Sequence, residues 1–400
     1  MSGFEYVCLT LAILAVFIWI GMLTVWGGFW RADQRLPEET VESGELADAP
    51  SVAVVIPARN EKAVVAQAIR SHLTQTYEGS LRVVLVDDQS TDGTAEIAVQ
   101  TAEQCGRTDR LTVLKGAPLS KGWTGKLWAM EQGFRALQQG ERPAYVLFTD
   151  ADIEHDQESV RRLVRKAECD RLDLVSLMVR LNCHSVWEKL LIPAFVFFFQ
   201  MLYPFGWVND VRRKTAAAAG GCALVRFDAL EQIGGLGAIQ NALIDDCALG
   251  AEIKKGGAVW LGLSTQVLSI RPYPTLESIW MMVARSAYTQ LNYSPLLLVG
   301  TVVGMLVMYV SSPLAVWVGL AFDYAQAPQW VGVGLIVGGL LGWGLMAIAY
   351  YPTLRLYGRS PLLSFALPGI AFLYLLMTLD SARRHWQGKG GLWKGRVHQS

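Results

Sequence analysis

The amino-acid sequence predicts an α/β domain with a mostly parallel sheet, joined to several α-helical transmembrane segments. The chain has 400 residues, of which 52% are hydrophobic, a larger share than soluble domains usually carry. Between Pro295 and Leu379 only Asp323, Arg355 and Arg359 are charged, so this part of the chain cannot form the surface of a water-soluble domain. A polar region with alternating strand and helix patterns precedes it, as expected for consecutive βαβ units.

The charges of the chain balance, which excludes one class of partner. The sequence has 35 Lys and Arg against 35 Asp and Glu, a formal net charge of zero. Polyanion-binding proteins usually carry a clear positive charge, so we expect no nucleic-acid partner. The six cysteines form no C-x-x-C pair, which argues against a zinc module or a disulfide framework and indicates reduced thiols in or facing a cytosol.

The first apolar segment, residues 1–30, predicts an N-terminal transmembrane anchor. It is uncharged from Tyr6 to Trp30, which is long enough to cross a hydrocarbon core of about 30 Å. No basic residues precede the apolar run and no small-residue cleavage site follows it. We therefore expect an uncleaved anchor.

Three further transmembrane segments are expected within residues 295–380. They lie at about 296–321, 330–351 and 361–379, and each is almost free of charged residues. A basic tail follows at 381–400.

Basic residues orient these segments. Arg31 and Arg35 follow the anchor and lead into the polar region, whereas the short loop at Asp323 has no Lys or Arg. Because basic loops stay inside, we expect a multi-pass protein of the inner (cytoplasmic) membrane with a cytosolic polar region. Three later crossings would put the basic tail outside, against the same rule. Either the segment at Pro368-Gly369 is re-entrant or the tail departs from the rule.

Two more apolar stretches lie outside these crossings. The uncharged run 190–209 is broken by Pro193 and Pro204, which favours an interfacial or re-entrant segment at 186–209 over another crossing. A helix rich in Trp and Met is predicted at 275–291, directly before the next transmembrane segment. Both stretches would place apolar side chains at the headgroup boundary of the bilayer.

The polar region, residues 49–293, predicts the sheet. Short β-branched runs alternate there with segments of helical periodicity. The predicted strands are Val52–Ile56, Leu81–Val86, Leu111–Leu114 and Tyr145–Phe148, and the predicted helices are Glu61–Thr74, one ending near Cys105, and Lys126–Gln139. In such sheets, ligands bind outside the carboxyl ends of the strands.

Acidic residues stand at two of these strand ends. Asp87 and Asp88 follow one strand, and Asp150 and Asp152 follow another. Two aspartates one residue apart leave coordination positions of Mg²⁺ or Mn²⁺ open for a diphosphate. The alternative for each pair is a turn with Asp at capping positions.

A third acidic pair, Asp245 and Asp246, begins a predicted helix after a glycine-rich stretch. Stabilisation of negative charge by the helix dipole is one explanation. The other is catalytic, since one carboxylate is enough to deprotonate an acceptor hydroxyl while a metal-bound diphosphate departs from the opposite face.

Six blocks of the polar region together resemble the family-2 glycosyltransferases. They are VVIPARNE at 54–61, VDDQSTDGT at 86–94, GWTGKLWAMEQG at 122–133, FTDADI at 148–153, GGCALVRFDALEQIGG at 220–235 and IDDCALGAEIKKGG at 244–257. The resemblance implies the GT-A fold, which is a Rossmann-like, mostly parallel sheet. It also implies transfer of a sugar from a nucleotide-sugar donor, with a UDP-sugar expected, and inversion of the anomeric centre.

The resemblance implies a nucleotide pocket at the first two strand ends. Pro57, Arg59 and Glu61 would lie at this pocket. Asp88 would contact the nucleotide base, with Asp87 behind it.

The same resemblance implies roles at the diphosphate and the acceptor. Lys126 would lie near the diphosphate, and Asp150 and Asp152 would serve the ribose and the metal, Mg²⁺ or Mn²⁺. Asp246 would be the general base, within the acidic pair that it forms with Asp245.

The sequence departs from the processive members of the family in one block. In place of Q-x-x-R-W it has TLESIWMMVARSAYTQLNYSP, with Trp280, Arg285 and Gln290 in another arrangement. This argues against polymer synthesis, and we expect these three residues at the acceptor. The block, the terminal WKGR at 393–396 and the order of spans most resemble the hopene-associated glycosyltransferases of hopanoid biosynthesis. A hopanoid is thus the leading lipid acceptor, with polyprenyl-phosphate, carotenoid and ceramide-type lipids as alternatives.

Two alternatives belong to other functional classes. A catalytically silent membrane scaffold on the same fold would be expected to have lost an acidic site, and all three are intact. A membrane-anchored nucleotidyltransferase would require a basic, glycine-rich triphosphate loop near the first strand, but residues 56–61 contain one Arg and no Gly.

Overall fold

The computed structural model describes residues 3–36, 49–323 and 328–388, and the backbone of 392–393 and 396–397. The chain divides into two compact units. The helical unit comprises Met1–Ala32, Cys183–Pro204 and Tyr273–Gly390, and the sheet unit comprises Asp33–Asn182, Phe205–Pro272 and Gly391–Ser400.

Strands and helices are numbered in chain order. The strands are β1 (Val52–Ala58), β2 (Leu81–Asp87), β3 (Leu111–Lys115), β4 (Tyr145–Thr149), β5 (Ile153–His155), β6 (Leu174–Arg180), β7 (Cys222–Arg226), β8 (Val259–Ser269), β9 (Leu392–Trp393) and β10 (Arg396–Val397). The α-helices are α1 (Phe4–Val25), α2 (Val65–Leu73), α3 (Thr94–Gln104), α4 (Gly125–Gln139), α5 (Ser159–Cys169), α6 (Val186–Leu202), α7 (Phe205–Val208), α8 (Phe227–Gln232), α9 (Asp245–Lys254), α10 (Leu276–Ala284), α11 (Pro295–Met305), α12 (Ser311–Leu320), α13 (Gln329–Leu356) and α14 (Leu367–Trp386).

The sheet unit is built on an eight-stranded sheet in the order β3-β2-β1-β4-β7-β6-β8-β5. Strand β1 pairs in parallel with β2 and β4, β2 with β3, and β6 with β8. Strand β7 runs antiparallel between β4 and β6, and β5 runs antiparallel to β8. The predicted mostly parallel α/β sheet is confirmed, and the antiparallel pairings are added to it. The short strands β9 and β10 form a separate antiparallel ribbon.

The centre of the sheet is its most deeply buried part. Every residue of β1 and of β4 is buried, as expected for apolar strands covered on both faces. Helix α4 lies close over this centre because Gly133 has no side chain. A Cβ there would lie 2.6 Å from Val55 Cγ1 and 3.1 Å from Val86 Cγ2. This packing fixes the strand ends that carry the acidic residues.

At the opposite edge, antiparallel pairing brings together two distant parts of the sequence. Ile153 of β5 pairs with Ser269 of β8. Beyond the end of β8, the backbone N–H of Ile270 donates a hydrogen bond to the carbonyl oxygen of Asp152, at 2.9 Å. The residue that follows, Arg271, is thereby held beside the Asp-x-Asp turn.

Four helices of the described helical unit are long and apolar enough to span a membrane: Phe4–Val25, Pro295–Leu320, Gln329–Leu356 and Pro361–Trp386. The second combines α11 and α12, which a π-helical turn joins. Large apolar side chains such as Phe17 and Trp317 are 68% and 75% exposed, as suits contact with lipid. The apolar segments expected from the sequence are therefore helices.

Small residues allow α12 and α13 to approach closely. A Cβ on Gly339 would lie 2.6 Å from the carbonyl oxygen of Ser312, and one on Gly319 would lie 3.1 Å from that of Gly332. Such small-residue contacts are typical of helix pairs in membranes.

Helix α6, which holds most of the segment predicted as interfacial, packs inside the helical unit. It begins with a capping box in which Ser185 and Glu188 satisfy each other's backbone N–H groups. Phe197 contacts the rings of Phe29 and Tyr350. The location of α6 at a membrane interface stays a prediction.

Candidate active site

The loops that follow β1 and β2 are fastened to each other. Arg59 Nη1 donates to the carbonyl oxygen of Asp88 at 2.6 Å and lies 3.6 Å from its buried carboxylate. The backbone N–H of Asn60 donates to Ser90 Oγ at 3.0 Å, and that of Lys62 donates to Asp92 Oδ2 at 3.0 Å. These contacts form a single structural element from two sequence-predicted blocks, which we name the paired loops (59–62 and 88–94).

Three more predicted residues stand at the base of the paired loops. Pro57 is buried in β1 opposite Val86. Asp87 is the last residue of β2, and its Oδ1 accepts the backbone N–H of Ser90 at 3.2 Å. The backbone N–H of Glu61 donates to Thr94 Oγ1 at 2.9 Å, which ties Glu61 to the start of α3.

Arg271, which the sequence analysis missed, bridges two predicted site residues. Its Nε donates to Asp152 Oδ2 at 2.5 Å, and its Nη2 donates to Glu61 Oε2 at 2.7 Å. One signal existed in the sequence, since Arg271 is the only basic residue between Lys255 and Arg285. The sequence does not show that β5 pairs with β8, and only this pairing brings Arg271 to the Asp-x-Asp turn.

Lys126 joins the other aspartate of that turn to the third acidic pair. It lies in the first turn of α4, which Thr124 caps by accepting the backbone N–H of Leu127. Lys126 Nζ is 2.7 Å from Asp150 Oδ1 and 3.7 Å from Asp245 Oδ2. Burial disfavours the ammonium ion, but these two carboxylates outweigh it and raise the pKa of Lys126 well above its usual value.

Asp246 is held by backbone groups. Its Oδ2 accepts the N–H of Gly220 and its Oδ1 accepts the N–H of Cys247, both at 2.8 Å. Burial and then the charge of Asp245 raise the pKa of Asp246 to about 6, although Lys126 and the two N–H groups oppose the shift. A carboxylate with such a pKa is suited to accept a proton near neutral pH.

A cavity opens at these residues. Lys126, Asp245 and Asp246 are its charged lining residues. The remaining lining residues are mostly apolar: Leu127, Met130, Phe148, Gly220, Ala223, Ile239 and Leu249. The predicted base and the predicted diphosphate-binding lysine therefore share one cavity.

A long segment of the chain is similar to known proteins. Residues 53–234 match the family model for glycosyl transferase family 2. This segment is a glycosyltransferase family 2 domain. The family-2 resemblance is thus confirmed for this segment, whereas the narrower resemblance to hopene-associated enzymes stays a prediction.

Two curated relatives match part of the chain. Undecaprenyl-phosphate 4-deoxy-4-formamido-L-arabinose transferase of Serratia proteamaculans is 32% identical over 144 residues, which are 34% of this chain and 39% of that protein. Probable glycosyltransferase YdaM of Bacillus subtilis is 28% identical over 160 residues, which are 39% of this chain and 36% of that protein. The chain thus spans less than two fifths of the length of each.

A solved structure shows the same fold. The mannosyltransferase PcManGT from Pyrobaculum calidifontis, solved in complex with GDP-Man and Mn²⁺, superposes with a TM-score of 0.53 over 97% of this chain and 100% of that one. The two sequences are 17% identical. The predicted GT-A fold is confirmed.

The family 2 domain has a donor set that fits a divalent cation in part. Among the described residues, no three His, Cys, Asp or Glu side chains are arranged to hold a metal ion. Asp150 and Asp152 alone supply two carboxylates, and Mg²⁺ commonly takes its other ligands from substrate phosphates and water. Burial and then the charge of Asp150 raise the pKa of Asp152, an unfavourable proximity that a cation would relieve.

The charges of the candidate site also favour a cation. Five carboxylates stand against two basic side chains, Lys126 and Arg271, which leaves an excess of three negative charges. The five are Glu61, Asp150, Asp152, Asp245 and Asp246. A diphosphate, itself an anion, would need further positive charge to bind there.

The three predicted acceptor residues lie in the helical unit. Trp280 Nε1 donates to Asp380 Oδ2 at 2.8 Å, and the side-chain amide of Gln290 donates to the hydroxyl of Tyr203. Arg285 is exposed at the end of α10. Their contact with an acceptor stays a prediction.

Proposed function

We propose that the protein is a membrane glycosyltransferase that transfers a sugar from a nucleotide-sugar donor to a hydroxyl group of a lipid, with inversion at the anomeric carbon. One observation carries the proposal: Asp246, with a pKa raised to about 6, shares a cavity with Lys126, which contacts Asp150 of the Asp-x-Asp turn. A proton acceptor and a group suited to stabilise a leaving diphosphate thus lie on one surface.

The donor is proposed to lie along the carboxyl ends of β1, β2 and β4. The paired loops would hold the nucleotide base and ribose, with the buried carboxylate of Asp88 at the base. Lys126 would contact the diphosphate. A UDP-sugar is proposed as the donor, whereas the structural neighbour was solved with GDP-Man.

Asp246 is proposed to act as the general base. Its carboxylate would accept the proton of the acceptor hydroxyl while that oxygen bonds to the anomeric carbon. The bond between this carbon and the diphosphate breaks in the same step, and Lys126 stabilises the charge of the departing nucleotide diphosphate. A single displacement of this kind inverts the configuration of the carbon.

Asp150 and Asp152 are proposed to hold Mg²⁺ or Mn²⁺ together with the donor. When bound, the ion would neutralise the charge of the diphosphate. The role of the two carboxylates is to fix the position of this charge against the strand ends.

A lipid acceptor is proposed from the apolar character of the helical unit. The described part of the chain has four helices long and apolar enough to span a membrane, and α6 and α10 add further apolar residues. The name of one relative includes undecaprenyl-phosphate, which supports a lipid substrate as a class. A hopanoid is the proposed acceptor and a polyprenyl phosphate is the alternative, at the cytoplasmic membrane.

Comparison of lipid extracts tests this proposal. Mass spectrometry of strains with and without the gene should reveal one glycolipid that is missing from the deletion strain, and its mass identifies both the sugar and the acceptor. Complementation with wild type should restore it. Asp246→Asn should not, whereas Asp228→Asn, a change at an exposed residue of α8, should. If deletion removes no glycolipid, a catalytically silent scaffold becomes the better account.

A further inference from the structure

We propose that Arg271 is the resting counter-ion of the donor site, neutralising Asp152 and Glu61 until a divalent cation displaces it from Asp152. The inference rests on the proposed function and adds a residue to that site. Arg271 is held there by the fold. The pairing of Ile153 with Ser269 and the hydrogen bond from Ile270 to Asp152 fix its backbone beside the turn.

The guanidinium group competes directly with a metal ion. Asp152 Oδ2, the oxygen that accepts from Arg271 Nε, cannot simultaneously give the same lone pair to a cation. The side chain of Asp152 is 14% exposed and that of Glu61 is 11% exposed, so few waters are available to replace the contact. A metal ion that approaches this carboxylate therefore meets the positive charge of Arg271 and, at Oδ2, a lone pair that is already used.

Arg271 can stay paired with Glu61 after it releases Asp152. Its Nη2 contacts Glu61, and its side chain is 31% exposed, which leaves room for movement. Retention by Glu61 keeps the positive charge close to the diphosphate after the exchange. The site would thus take up metal weakly by itself and well together with an anionic donor, which supplies the missing ligands.

Titration of the purified full chain with Mn²⁺ alone, followed by electron paramagnetic resonance, tests the inference. We expect Arg271→Gln to bind Mn²⁺ about tenfold more tightly than wild type, because one competing positive charge has been removed. Adding Asp152→Asn to it should abolish the gain. Arg142→Gln is the matched control, since Arg142 pairs with Glu231 at 3.0 Å and is 59% exposed.

Equal or weaker Mn²⁺ binding by Arg271→Gln would overturn the inference. If circular dichroism shows that this variant is not folded, Arg271→Lys replaces it in the test. Lys keeps the positive charge but cannot reproduce the forked contact, so we expect a smaller gain in Mn²⁺ affinity, and no gain would overturn the inference. No donor or acceptor is present in the titration. Its result is therefore independent of whether the protein transfers a sugar.

A second inference comes from the helical unit: we infer that residues 361–386 re-enter the membrane and return to the side they came from. The ends of α6 and α13 and the segment before α11 lie at a similar depth in this unit. Gln200 of α6 donates to Thr353 Oγ1 near the end of α13 at 3.4 Å, and Gln290 donates to Tyr203. The ends of α6 and α13 and the segment before α11 are thereby neighbours.

The chain turns back into the apolar layer directly after α13. Trp343 precedes Thr353 by ten residues, which places it about 15 Å deeper along the helix. Its Nε1 donates to the carbonyl oxygen of Phe365 at 3.0 Å. Phe365 belongs to a short 3₁₀ helix, Pro361–Ala366, and α13 ends at Leu356, so the chain reaches this depth within nine residues of the end of α13.

Helix α14 then runs past α6 to the segment that precedes α11. Tyr374 donates to the carbonyl oxygen of Leu191 in α6 at 2.8 Å. Further along, Ser381 Oγ accepts the backbone N–H of Tyr288 at 3.0 Å, and His385 stacks on Tyr293 with centroids 4.3 Å apart.

The end of α13 and the end of α14 are therefore linked through the end of α6 and the residues just before α11. Tyr288 and Tyr293 stand just before α11 begins, so α14 ends where α11 starts. The membrane is crossed three times, and the basic residues Arg383 and Arg384 lie on the side of Arg355, as the distribution of basic residues requires.

Cysteine labelling tests this topology in intact cells with a membrane-impermeant maleimide. Ala321→Cys, at the exposed end of α12, should be labelled from outside, whereas Gln387→Cys should be labelled only after permeabilisation. Labelling of Gln387→Cys in intact cells would overturn the inference. An alkaline phosphatase fused to the C-terminus gives a second measurement: we expect an inactive fusion, and an active one would contradict the assignment.

Discussion

The Asp150/Asp152 pair and the Asp245/Asp246 pair are both acidic and close in space, yet the protein holds them differently. Asp150 contacts Lys126 and Asp152 contacts Arg271, so each carboxylate of the first pair has its own cation. Asp246 instead receives two backbone N–H groups, and its pKa is raised to about 6. Burial and a like-charged neighbour raise the pKa of both Asp152 and Asp246. The difference lies in what opposes this shift, which is the guanidinium group of Arg271 at Asp152 but the ammonium group of Lys126 and two backbone N–H groups at Asp246.

The largest expected effect separates the chemical step from binding. Asp246→Asn should lower sugar transfer by about 10² to 10⁴, because the base acts in that step, and should leave donor affinity within a few-fold. Single-turnover transfer and donor titration on the purified variant measure both. Activity above about a tenth of wild type would move the base elsewhere.

At the Asp150/Asp152 pair we expect the opposite result, a loss of donor binding. Asp152→Ala should weaken donor binding and remove its dependence on Mg²⁺ or Mn²⁺, because the diphosphate loses its shared cation. Calorimetric titration of the donor with and without metal measures this. If a chelator leaves binding and turnover of the wild-type protein unchanged, the two aspartates do not serve a metal.

The comparison also predicts a pH dependence. Asp246 is protonated below its pKa of about 6 and cannot then accept a proton, so the transfer rate should fall as the pH drops through that value. Asp245 contributes to the raised pKa, so Asp245→Asn should move the midpoint to lower pH. The transfer rate of the wild-type protein and of Asp245→Asn, measured from pH 5 to 8, tests this. An equal midpoint in both would show that Asp245 does not raise the pKa of Asp246.

The smallest effect is expected for a substitution at Gly220, which lies beside Lys126 and Asp246. A Cβ on Gly220 would lie 3.1 Å from Lys126 Nζ and 3.4 Å from Asp246 Oδ2, so Gly220→Ala should displace the flexible lysine by a few tenths of an ångström. We expect transfer to fall by about two- to tenfold, within the range that small misplacements of catalytic groups produce. Gly237→Ala, where a Cβ would meet no atom within 4 Å, is the matched control. Equal rates for both variants would show that the spacing of the pairs tolerates an extra methyl group.

The strand ends of the site could be predicted because their signals are local. Apolar β-branched runs followed by Asp87 or Asp150 identify a buried strand and its end within a few residues of sequence. Arg271 could not be assigned in this way. It reaches Asp152 through the antiparallel pairing of β5 with β8, across more than a hundred residues, and no local pattern encodes that register.

Hydropathy had a similar limit in the helical unit. The hydropathy of the sequence located the apolar helices, because a run of about 20 residues without charged side chains can be recognised from composition alone. A crossing helix and a returning one have the same composition. The direction of α14 depends instead on single contacts, such as the one from Trp343 to Phe365.

The paired loops have a consequence for donor choice. Asn60 and Gln89 adopt left-handed backbone conformations with φ of +52° and +58°, and hydrogen bonds join the two loops. A nucleotide would therefore meet a rigid, preformed cleft, and binding would cost little conformational entropy. Redirecting the protein to a different base would require coordinated changes in both loops, since a single replacement would leave the opposing wall in its original shape.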